Sequence, residues 1–208
     1  GSDIYRPETG DFKFQAGPIF HNLILADEIN RAPAKVQSAL LEAMAERQVT
    51  VGGKTYKLPS LFMVMATQNP IEQEGTYPLP EAQLDRFLMY VKIDQPDAAA
   101  ERRILRLVRD EAMTAGQAGK IEVMPQTGVF AARREVLNVH LSDALEEYIV
   151  QLVMATRRPE AYDPKFARWV AFGASPRGTI ALDRCARAGT WLAGRDYVLP
   201  EDIHAVVH

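Results

Sequence analysis

The first half of the chain alternates short apolar runs with polar breaks, which is the pattern of an α/β fold. Leu23-Ile24-Leu25-Ala26 is followed at once by Asp27-Glu28, and Leu61 to Ala66 is followed by Thr67-Gln68-Asn69. Uninterrupted apolar runs of this length predict parallel strands that are buried on both faces. Parallel strands end at the same edge of a sheet, so the polar residues after both strands are expected to lie side by side.

Shorter signals predict the elements around these strands. Alternation indicates one hairpin within residues 3–20 and a second over 49–58, where Gly52-Gly53 suits a two-residue turn. Pro33 marks the start of a helix with an apolar stripe on one face. The stripe comprises Val36, Leu40 and Met44. A further strand is expected at 87–93.

From Pro96-Asp97 onward the chain is predicted to be mostly helical. One helix follows that dipeptide, and a glycine- and proline-rich linker is expected at 115–128. Three more helices are signalled by residues typical of helix starts. The first begins after Ser142, the second at Ser175-Pro176 and the third at Pro200.

These elements divide the sequence into three parts. Residues 1–95 are predicted to form an α/β core, residues 96–128 a connecting helix and linker, and residues 129–208 a helical domain. The predicted fold class is therefore α/β, with a parallel-sheet core followed by an all-α domain.

Composition and charge narrow the classes of function. A net charge of -3 argues against a nucleic-acid surface, which needs a basic field. No apolar run approaches the ~18 residues of a membrane span. Cys185 is the single cysteine, so an internal disulfide is excluded and a reducing, cytoplasmic compartment is favoured. Its apolar neighbours recur at helical spacing, which favours a small core residue over a nucleophile.

The polar residues that end the two apolar strands are the first candidates for chemistry. Asp27 and Glu28 suit phosphoryl transfer, because one carboxylate can hold Mg²⁺ and the next can polarise an attacking water. The alternative is a buried strand followed by an ordinary polar turn. Asn69 could orient a water or contact a phosphate oxygen, and its alternative is an Asn-Pro turn.

Two arginines are candidates for anion contacts. Arg86 could stabilise transition-state charge as an arginine finger does, or it could pair with Asp85 or Glu81 on a solvated helix. Arg177 lies in the first turn of a predicted helix, where a cation opposes the helix dipole and needs an anion nearby. That anion could be a phosphate or a neighbouring carboxylate.

With these motifs in place, the sequence resembles the MoxR family of AAA+ ATPases over essentially all 208 residues. The fold implied is a P-loop NTPase core followed by a helical lid. The matching motifs are Walker B at Leu23 to Glu28, sensor 1 at Ala66 to Pro70, the arginine-finger segment at Leu79 to Phe87, and sensor 2 at Gly173 to Arg177. The hairpins at Ile4 to Phe14 and Val49 to Leu58 resemble the helix-2 insertion and the pre-sensor-1 hairpin.

The resemblance implies a role for each candidate residue. Asp27 would be the magnesium-associated carboxylate and Glu28 the base that activates water. Asn69 would link these two to the γ-phosphate, Arg86 would reach into the neighbouring subunit's site, and Arg177 would contact phosphates in its own subunit. The implied cofactors are ATP and Mg²⁺. The implied assembly is a homo-oligomer, a hexameric ring, with partners that carry a von Willebrand factor A domain and roles in maturation or metal insertion.

One element of the family pattern is missing, the G-x-x-x-x-G-K-[ST] loop that holds phosphates in P-loop enzymes. Gly53-Lys54-Thr55 has the right ending, but Gln48 stands at the first glycine position and the segment lies in a predicted hairpin. Gly119-Lys120 is followed by Ile121 and does not fit either. The chain therefore resembles a fragment of a longer ATPase and is expected to be inactive alone. Two other interpretations stay open: a non-catalytic assembly module and a subunit similar to magnesium-chelatase motors.

Overall fold

The computed structural model describes residues 1–69, 75–113 and 123–207. Contacts divide the chain into two compact units. The first comprises Gly1–Leu88 with Val150–Ile180, and the second comprises Met89–Ile149 with Ala181–His208. All strands of the described residues belong to the first unit.

The strands form three pairs. Their bounds are β1 Ser2–Arg6, β2 Asp11–Gln15, β3 Leu23–Ala26, β4 Gln48–Val51, β5 Lys54–Lys57 and β6 Met63–Ala66. Strands β1 and β2 pair antiparallel, as do β4 and β5, while β3 and β6 pair in parallel. The two hairpins and the two apolar strands predicted from the sequence are therefore confirmed.

The helices follow the sequence signals closely. Their bounds are α1 Ala34–Glu46, α2 Glu81–Leu84, α3 Ala98–Met113, α4 Gln126–Asn138, α5 Asp143–Arg157, α6 Pro176–Leu192 and α7 Pro200–Val207. Short 3-10 turns occur at Pro18–Phe20, Ile29–Arg31, Pro159–Ala161 and Phe166–Arg168. Ser142 caps α5 as predicted, with its Oγ accepting a hydrogen bond from the Leu145 N–H at 3.4 Å. Among the described residues, none of the helices has the length and apolar character that crossing a bilayer requires.

Helix α1 is the packing centre of the first unit. It contributes Leu41 to a core cluster with Ile29 and Leu79, and Ala43 to a second cluster with Leu58 and Phe62. The apolar stripe predicted for this helix is partly wrong: Leu40 and Met44 pack against these clusters, but Val36 is 53% exposed. The buried face is instead centred on Leu41.

The β3–β6 pair is half-buried on one face and exposed on the other. Ile24 and Val64 of that face pack against the second core cluster. The other face is exposed, and its residues are Leu23, Leu25, Met63 and Met65. The expectation that both strands are buried on both faces is therefore wrong within the described residues, because nothing there covers the second face.

The β4–β5 hairpin excludes its glycines from a phosphate-binding role. Gly52 and Gly53 occupy positive φ angles of 57° and 76°, as the two central residues of a type I′ turn require. Lys54 and Thr55 then pair with the opposite strand. The segment does not lead into a helix, so it lacks the helix N-terminus that a phosphate loop needs.

Two further expectations need correction. Residues 87–93 form no strand, and Tyr90 and Ile93 are 81% and 90% exposed. A strand needs a neighbouring strand to satisfy its backbone, and none of the described strands pairs with this segment. The predicted linker at 115–128 is helical at its end, since α4 begins at Gln126; its residues 115–122 lie outside the described ones.

Cys185 is confirmed as a core residue in the second unit. It lies in α6 and is buried, with 7% of its surface exposed. Burial raises the pKa of its thiol, although Arg184 acts in the opposite direction. The thiol is therefore poorly suited to act as a nucleophile near neutral pH.

Candidate active site

The parallel register of β3 and β6 brings the polar ends of both strands together. Ala26 is opposite Ala66, so Asp27 and Thr67 are the next residues on each strand. The Thr67 hydroxyl donates a hydrogen bond of 2.6 Å to Asp27 Oδ1. The Thr67 N–H in turn donates to the Ala26 carbonyl at 3.1 Å. Asp27 is exposed, and Thr67 fixes one of its two carboxylate oxygens.

The same threonine fixes the backbone of Glu28. Its Oγ1 accepts a hydrogen bond from the Glu28 N–H at 2.9 Å, and its carbonyl accepts one from the Ile29 N–H at 3.0 Å. Glu28 has left-handed backbone angles, φ 48° and ψ 51°, which are unfavourable for a residue with a Cβ. Hydrogen bonds from the neighbouring strand end therefore maintain a strained turn at the second carboxylate.

The Glu28 side chain has a nearby cation. Arg31 Nε lies 3.2 Å from Glu28 Oε2, and the two side chains are 48% and 38% exposed. An ion pair this exposed contributes little free energy, because water screens it and both side chains lose entropy. The Glu28 carboxylate can therefore exchange this contact for another partner at small cost.

Buried amides anchor the turn that follows the carboxylates. Gln37 on α1 is 2% exposed, and its Nε2 donates to the carbonyls of Ile29 at 3.1 Å and Tyr77 at 2.9 Å. The Tyr77 N–H donates to the Asn30 carbonyl at 2.6 Å. Asn30 Nδ2 donates to the Asn69 carbonyl at 3.4 Å. The backbone of Asn69 is thus tied to the carboxylate turn through Asn30. The position of its side-chain amide beside Asp27 and Glu28 stays a prediction.

Arg86 follows α2 and is exposed. Its backbone N–H donates to the Gln83 carbonyl at 3.2 Å, which closes the short helix. Among the described residues its guanidinium has no hydrogen bond or ion pair. The alternative in which Arg86 pairs with Asp85 or Glu81 is not observed among the described residues, and the Asp85 carboxylate contacts Ser175 and Arg177 instead.

Asp85 instead contacts the start of α6. The Ser175 hydroxyl donates to Asp85 Oδ1 at 2.6 Å and accepts from the Arg177 N–H at 3.0 Å. Arg177 Nη1 lies 3.5 Å from Asp85 Oδ2. Of the two anions considered for Arg177, the structure shows the carboxylate, held by one long contact.

The segment that carries Ser175 is clamped onto the end of α5. The Thr156 hydroxyl accepts from the Ala174 N–H at 2.9 Å, and Arg157 Nε donates to the Ala174 carbonyl at 2.7 Å. A Cβ on Gly173 would lie 2.8 Å from Arg157 Cα, so only glycine allows this approach. The position of Ser175 is thereby fixed by packing and hydrogen bonds.

Comparisons with known proteins show the family to which the chain belongs. Residues 1–89 match the ATPase family associated with various cellular activities (AAA), and residues 167–208 match the AAA lid domain. Chaperone MoxR1 of Mycobacterium tuberculosis is 47% identical over 209 residues, covering 100% of this chain and 54% of the relative. Protein MoxR of Paracoccus denitrificans is 35% identical, covering 96% and 62%. The chain belongs to the MoxR family of AAA+ ATPases.

Two further comparisons cover a similar share of both chains. YeaC of Bacillus subtilis is 46% identical and covers 98% of this chain and 60% of the relative. A crystal structure of a protein from Cytophaga hutchinsonii superposes with a TM-score of 0.86 at 47% identity, covering 99% of this chain and 62% of that one. The predicted fold class is confirmed. The chain spans between about half and two thirds of the length of these relatives.

The carboxylates at the strand ends could supply some, but not all, of the ligands of a Mg²⁺ ion. No group of three or more His, Cys, Asp or Glu side chains among the described residues could hold a metal alone. Mg²⁺ in nucleotide sites usually needs only one or two carboxylates, with water and phosphate oxygens completing its octahedron. An exposed Asp27 with one oxygen oriented by Thr67 meets that requirement.

Three residues of the candidate site carry no clear signal in the sequence. Thr67 directly follows strand β6, and its position opposite Asp27 follows only from the register between β3 and β6. Asp85 was considered only as a partner of Arg86, and no local spacing connects it to Ser175, 90 residues away. Gln37 has no local signal for burial, because a polar residue on a helix normally faces solvent.

Proposed function

We propose that this chain supplies the hydrolytic residues of a AAA+ ATPase site and that hydrolysis drives chaperone-like remodelling of other proteins. The observation that carries the proposal is the double role of Thr67, which orients Asp27 and fixes the backbone of Glu28. A polar strand end without a function has no need of adjacent carboxylates, one of them in a strained conformation. The chaperone name of the Mycobacterium tuberculosis relative supports the second half of the proposal.

The chemistry assigned to the two carboxylates is complementary. Asp27 would hold Mg²⁺, which supplies positive charge to the triphosphate oxygens. Glu28 accepts a proton from a water whose oxygen bonds to the γ-phosphorus, while the bond between that phosphorus and the ADP oxygen breaks. Its contact with Arg31 is weak enough to be given up for that water.

The remaining polar residues complete the proposal. Asn69 would contact the γ-phosphate or the attacking water, since its backbone is tied to the carboxylate turn through Asn30. Arg86 would serve the neighbouring subunit's site, which fits a guanidinium that is exposed and has no partner among the described residues. Arg177 would contact the phosphates. We also propose that the protein forms a homo-oligomeric ring, a hexamer, and that it is cytoplasmic. Its proposed partners carry a von Willebrand factor A domain.

The proposal keeps the division of the chain predicted from its sequence. Residues 1–95 would act as the nucleotide-facing core, 96–128 as the connection and 129–208 as the lid. Matches to the AAA family at 1–89 and to its lid domain at 167–208 support the two outer parts.

Nucleotide binding and hydrolysis test the proposal. The test compares this chain with an extended protein, defined as the same chain preceded by an upstream segment that carries a phosphate-binding loop. The extended protein is expected to bind Mg-ATP and hydrolyse it, whereas the 208 residues alone bind weakly and do not turn over, because phosphate-loop amides and lysine supply most of the binding. Calorimetric titration and phosphate release measure both. An extended protein that binds Mg-ATP without hydrolysing it would contradict the proposal.

Mixed assemblies test the assignment of Arg86 to the neighbouring site. Extended subunits with Arg86→Ala and extended subunits with Glu28→Gln are each expected to be inactive. Mixed rings should recover part of the activity, because some interfaces then pair an intact base with an intact finger. Inactivity at every mixing ratio, with ring assembly verified, would contradict the assignment.

A further inference from the structure

We propose that Asp85 is a positioning residue that stores the Arg177 guanidinium in the absence of nucleotide and releases it to the phosphates of ATP. This inference rests on the proposed function and adds to it a residue that competes with the ligand for one of its own contacts. Among the described residues, Asp85 is the only side chain that pairs with Arg177, through one contact of 3.5 Å.

The geometry separates a strong contact from a weak one on the same carboxylate. Oδ1 of Asp85 accepts a 2.6 Å hydrogen bond from the Ser175 hydroxyl, whereas Oδ2 has only the long contact with Arg177 Nη1. The Asp85 side chain is 31% exposed and that of Arg177 is 53% exposed. Ser175 thus fixes where the carboxylate lies, and the guanidinium is held loosely against it.

Several hydrogen bonds hold the backbone around Arg177, whereas its side chain has one contact among the described residues. Ser175 caps α6 by accepting from the Arg177 N–H, and Thr156 with Arg157 clamps the preceding residue, Ala174. The guanidinium has five N–H donors and uses one of them here. It can therefore exchange its partner by rotation of the side chain, without movement of the helix.

A triphosphate outcompetes Asp85 on charge and geometry. Phosphate oxygens accept parallel bidentate hydrogen bonds from arginine, and such charge-assisted bonds are stronger than one exposed contact. When Arg177 leaves, the negative charge of Asp85 remains held by Ser175, directly beside Arg86 in the sequence. The nucleotide state would thereby change the electrostatic surroundings of the finger residue in the same chain.

Replacement of Asp85 by asparagine removes the negative charge that competes with the phosphates for Arg177. The amide oxygen of Asp85→Asn still accepts the hydrogen bond from Ser175, so the placement of the segment is kept and the attraction for Arg177 is removed. In the extended protein, Mg-ATP should bind about two- to fivefold more tightly, as expected for loss of one exposed ion pair. KM should fall in the same proportion and kcat should not rise, because Asp85 does not contact the reacting atoms.

A second substitution shows whether the effect passes through Arg177. In an Arg177→Ala background, Asp85→Asn should leave Mg-ATP affinity unchanged, since no guanidinium remains to be released. Asp183→Asn is the matched control, because Asp183 also pairs with an arginine, Arg187, at 2.6 Å in the lid, and affinity should not change.

The outcomes separate this inference from the proposed function. If the unsubstituted extended protein neither binds nor hydrolyses Mg-ATP, both fail. If it does both, unchanged or weaker binding by Asp85→Asn overturns the role of Asp85 alone. An equal gain with and without Arg177 also overturns it, because the charge would then act on the nucleotide directly.

Discussion

Asp202 and Asp85 each accept a hydrogen bond from a hydroxyl group and pair with an arginine, yet the two regions around them are built differently. Asp202 accepts from the Thr190 hydroxyl at 2.9 Å, from the Leu199 N–H at 2.8 Å and from both terminal nitrogens of Arg195. Asp85 has only Ser175 and one long contact with Arg177. We call the group of Thr190, Arg195, Leu199 and Asp202 the lid corner.

The difference in hydrogen bonding distinguishes a charged side chain that stabilises the fold from one that can bind a ligand. In the lid corner the contact between Arg195 and Asp202 is bidentate, and Asp202 is 14% exposed. Neither side chain can give up its partner without a large loss of folding stability. Hydrogen bonding to Arg195 is the main cause that lowers the pKa of Asp202 to about 2. At the candidate site, Asp27, Glu28 and Arg177 are each held by fewer side-chain contacts than Asp202 is. A site that must exchange partners with a ligand needs this incomplete pairing.

The largest expected effect comes from the threonine that orients the site. Thr67→Val keeps the shape of the side chain but removes the donor to Asp27 and the acceptor for the Glu28 N–H. ATP turnover by the extended protein should fall roughly 10- to 100-fold, the cost of misplacing reacting groups. Thr67→Ser keeps the hydroxyl and should retain most of the turnover. Steady-state phosphate release measures both, and equal rates for the Val and Ser variants would show that the hydroxyl is unimportant.

Thermal stability sharpens the comparison between the two aspartates. Asp202→Asn weakens the charged fork to Arg195 and should lower the Tm by about 2–4 °C for each kcal/mol of stability that is lost. Asp85→Asn should lower it by about 1 °C or less, because its pair is exposed and long. Differential scanning fluorimetry measures the Tm of both variants. Equal decreases in Tm would contradict the proposed difference between Asp202 and Asp85.

Acid sensitivity should follow the same difference. The folded-state pKa of Asp202 lies below its unfolded value, so its contribution to stability is complete above the unfolded value of ~3.9. That contribution is lost as the pH falls from about 4 towards 2. Urea unfolding across this range should show a smaller loss for Asp202→Asn than for the unsubstituted chain. Parallel curves for the two proteins would contradict the assignment.

A smaller effect is expected from the strained turn at the site. Glycine tolerates the left-handed angles of Glu28, so Glu28→Gly should be more stable than Glu28→Ala by about 1 kcal/mol. The alanine variant is the control, because both substitutions remove the carboxylate and its contact with Arg31. Urea unfolding compares them, and a glycine variant less stable than the alanine variant would show that the turn is not strained.

The fold was largely predictable because its signals are local. Apolar runs that end in carboxylates specify β3 and β6, the glycine pair specifies the β4–β5 turn, and Ser142 and Pro200 mark helix starts. The strand expected at 87–93 failed because an apolar segment becomes a strand only where a partner strand can accept its hydrogen bonds.

The site was less predictable, because its contacts join distant segments. Asp27 and Glu28 could be proposed from their strand alone, but the role of Thr67 depends on the register between two strands. The partner of Asp85 could not be deduced, since Ser175 and Arg177 are 90 and 92 residues away. Local spacing suggested Arg86 as the partner, and the tertiary contact prevailed.

The most direct test of the central claim is the nucleotide retained by the Glu28→Gln variant of the extended protein. The amide cannot accept a proton from water, whereas the Thr67 hydroxyl still orients Asp27. We expect this variant to bind Mg-ATP with unchanged affinity and to retain ATP rather than ADP after long incubation, as measured by chromatography of the released nucleotide. Recovery of ADP at the rate of the unsubstituted protein would contradict the assignment of Glu28 as the base.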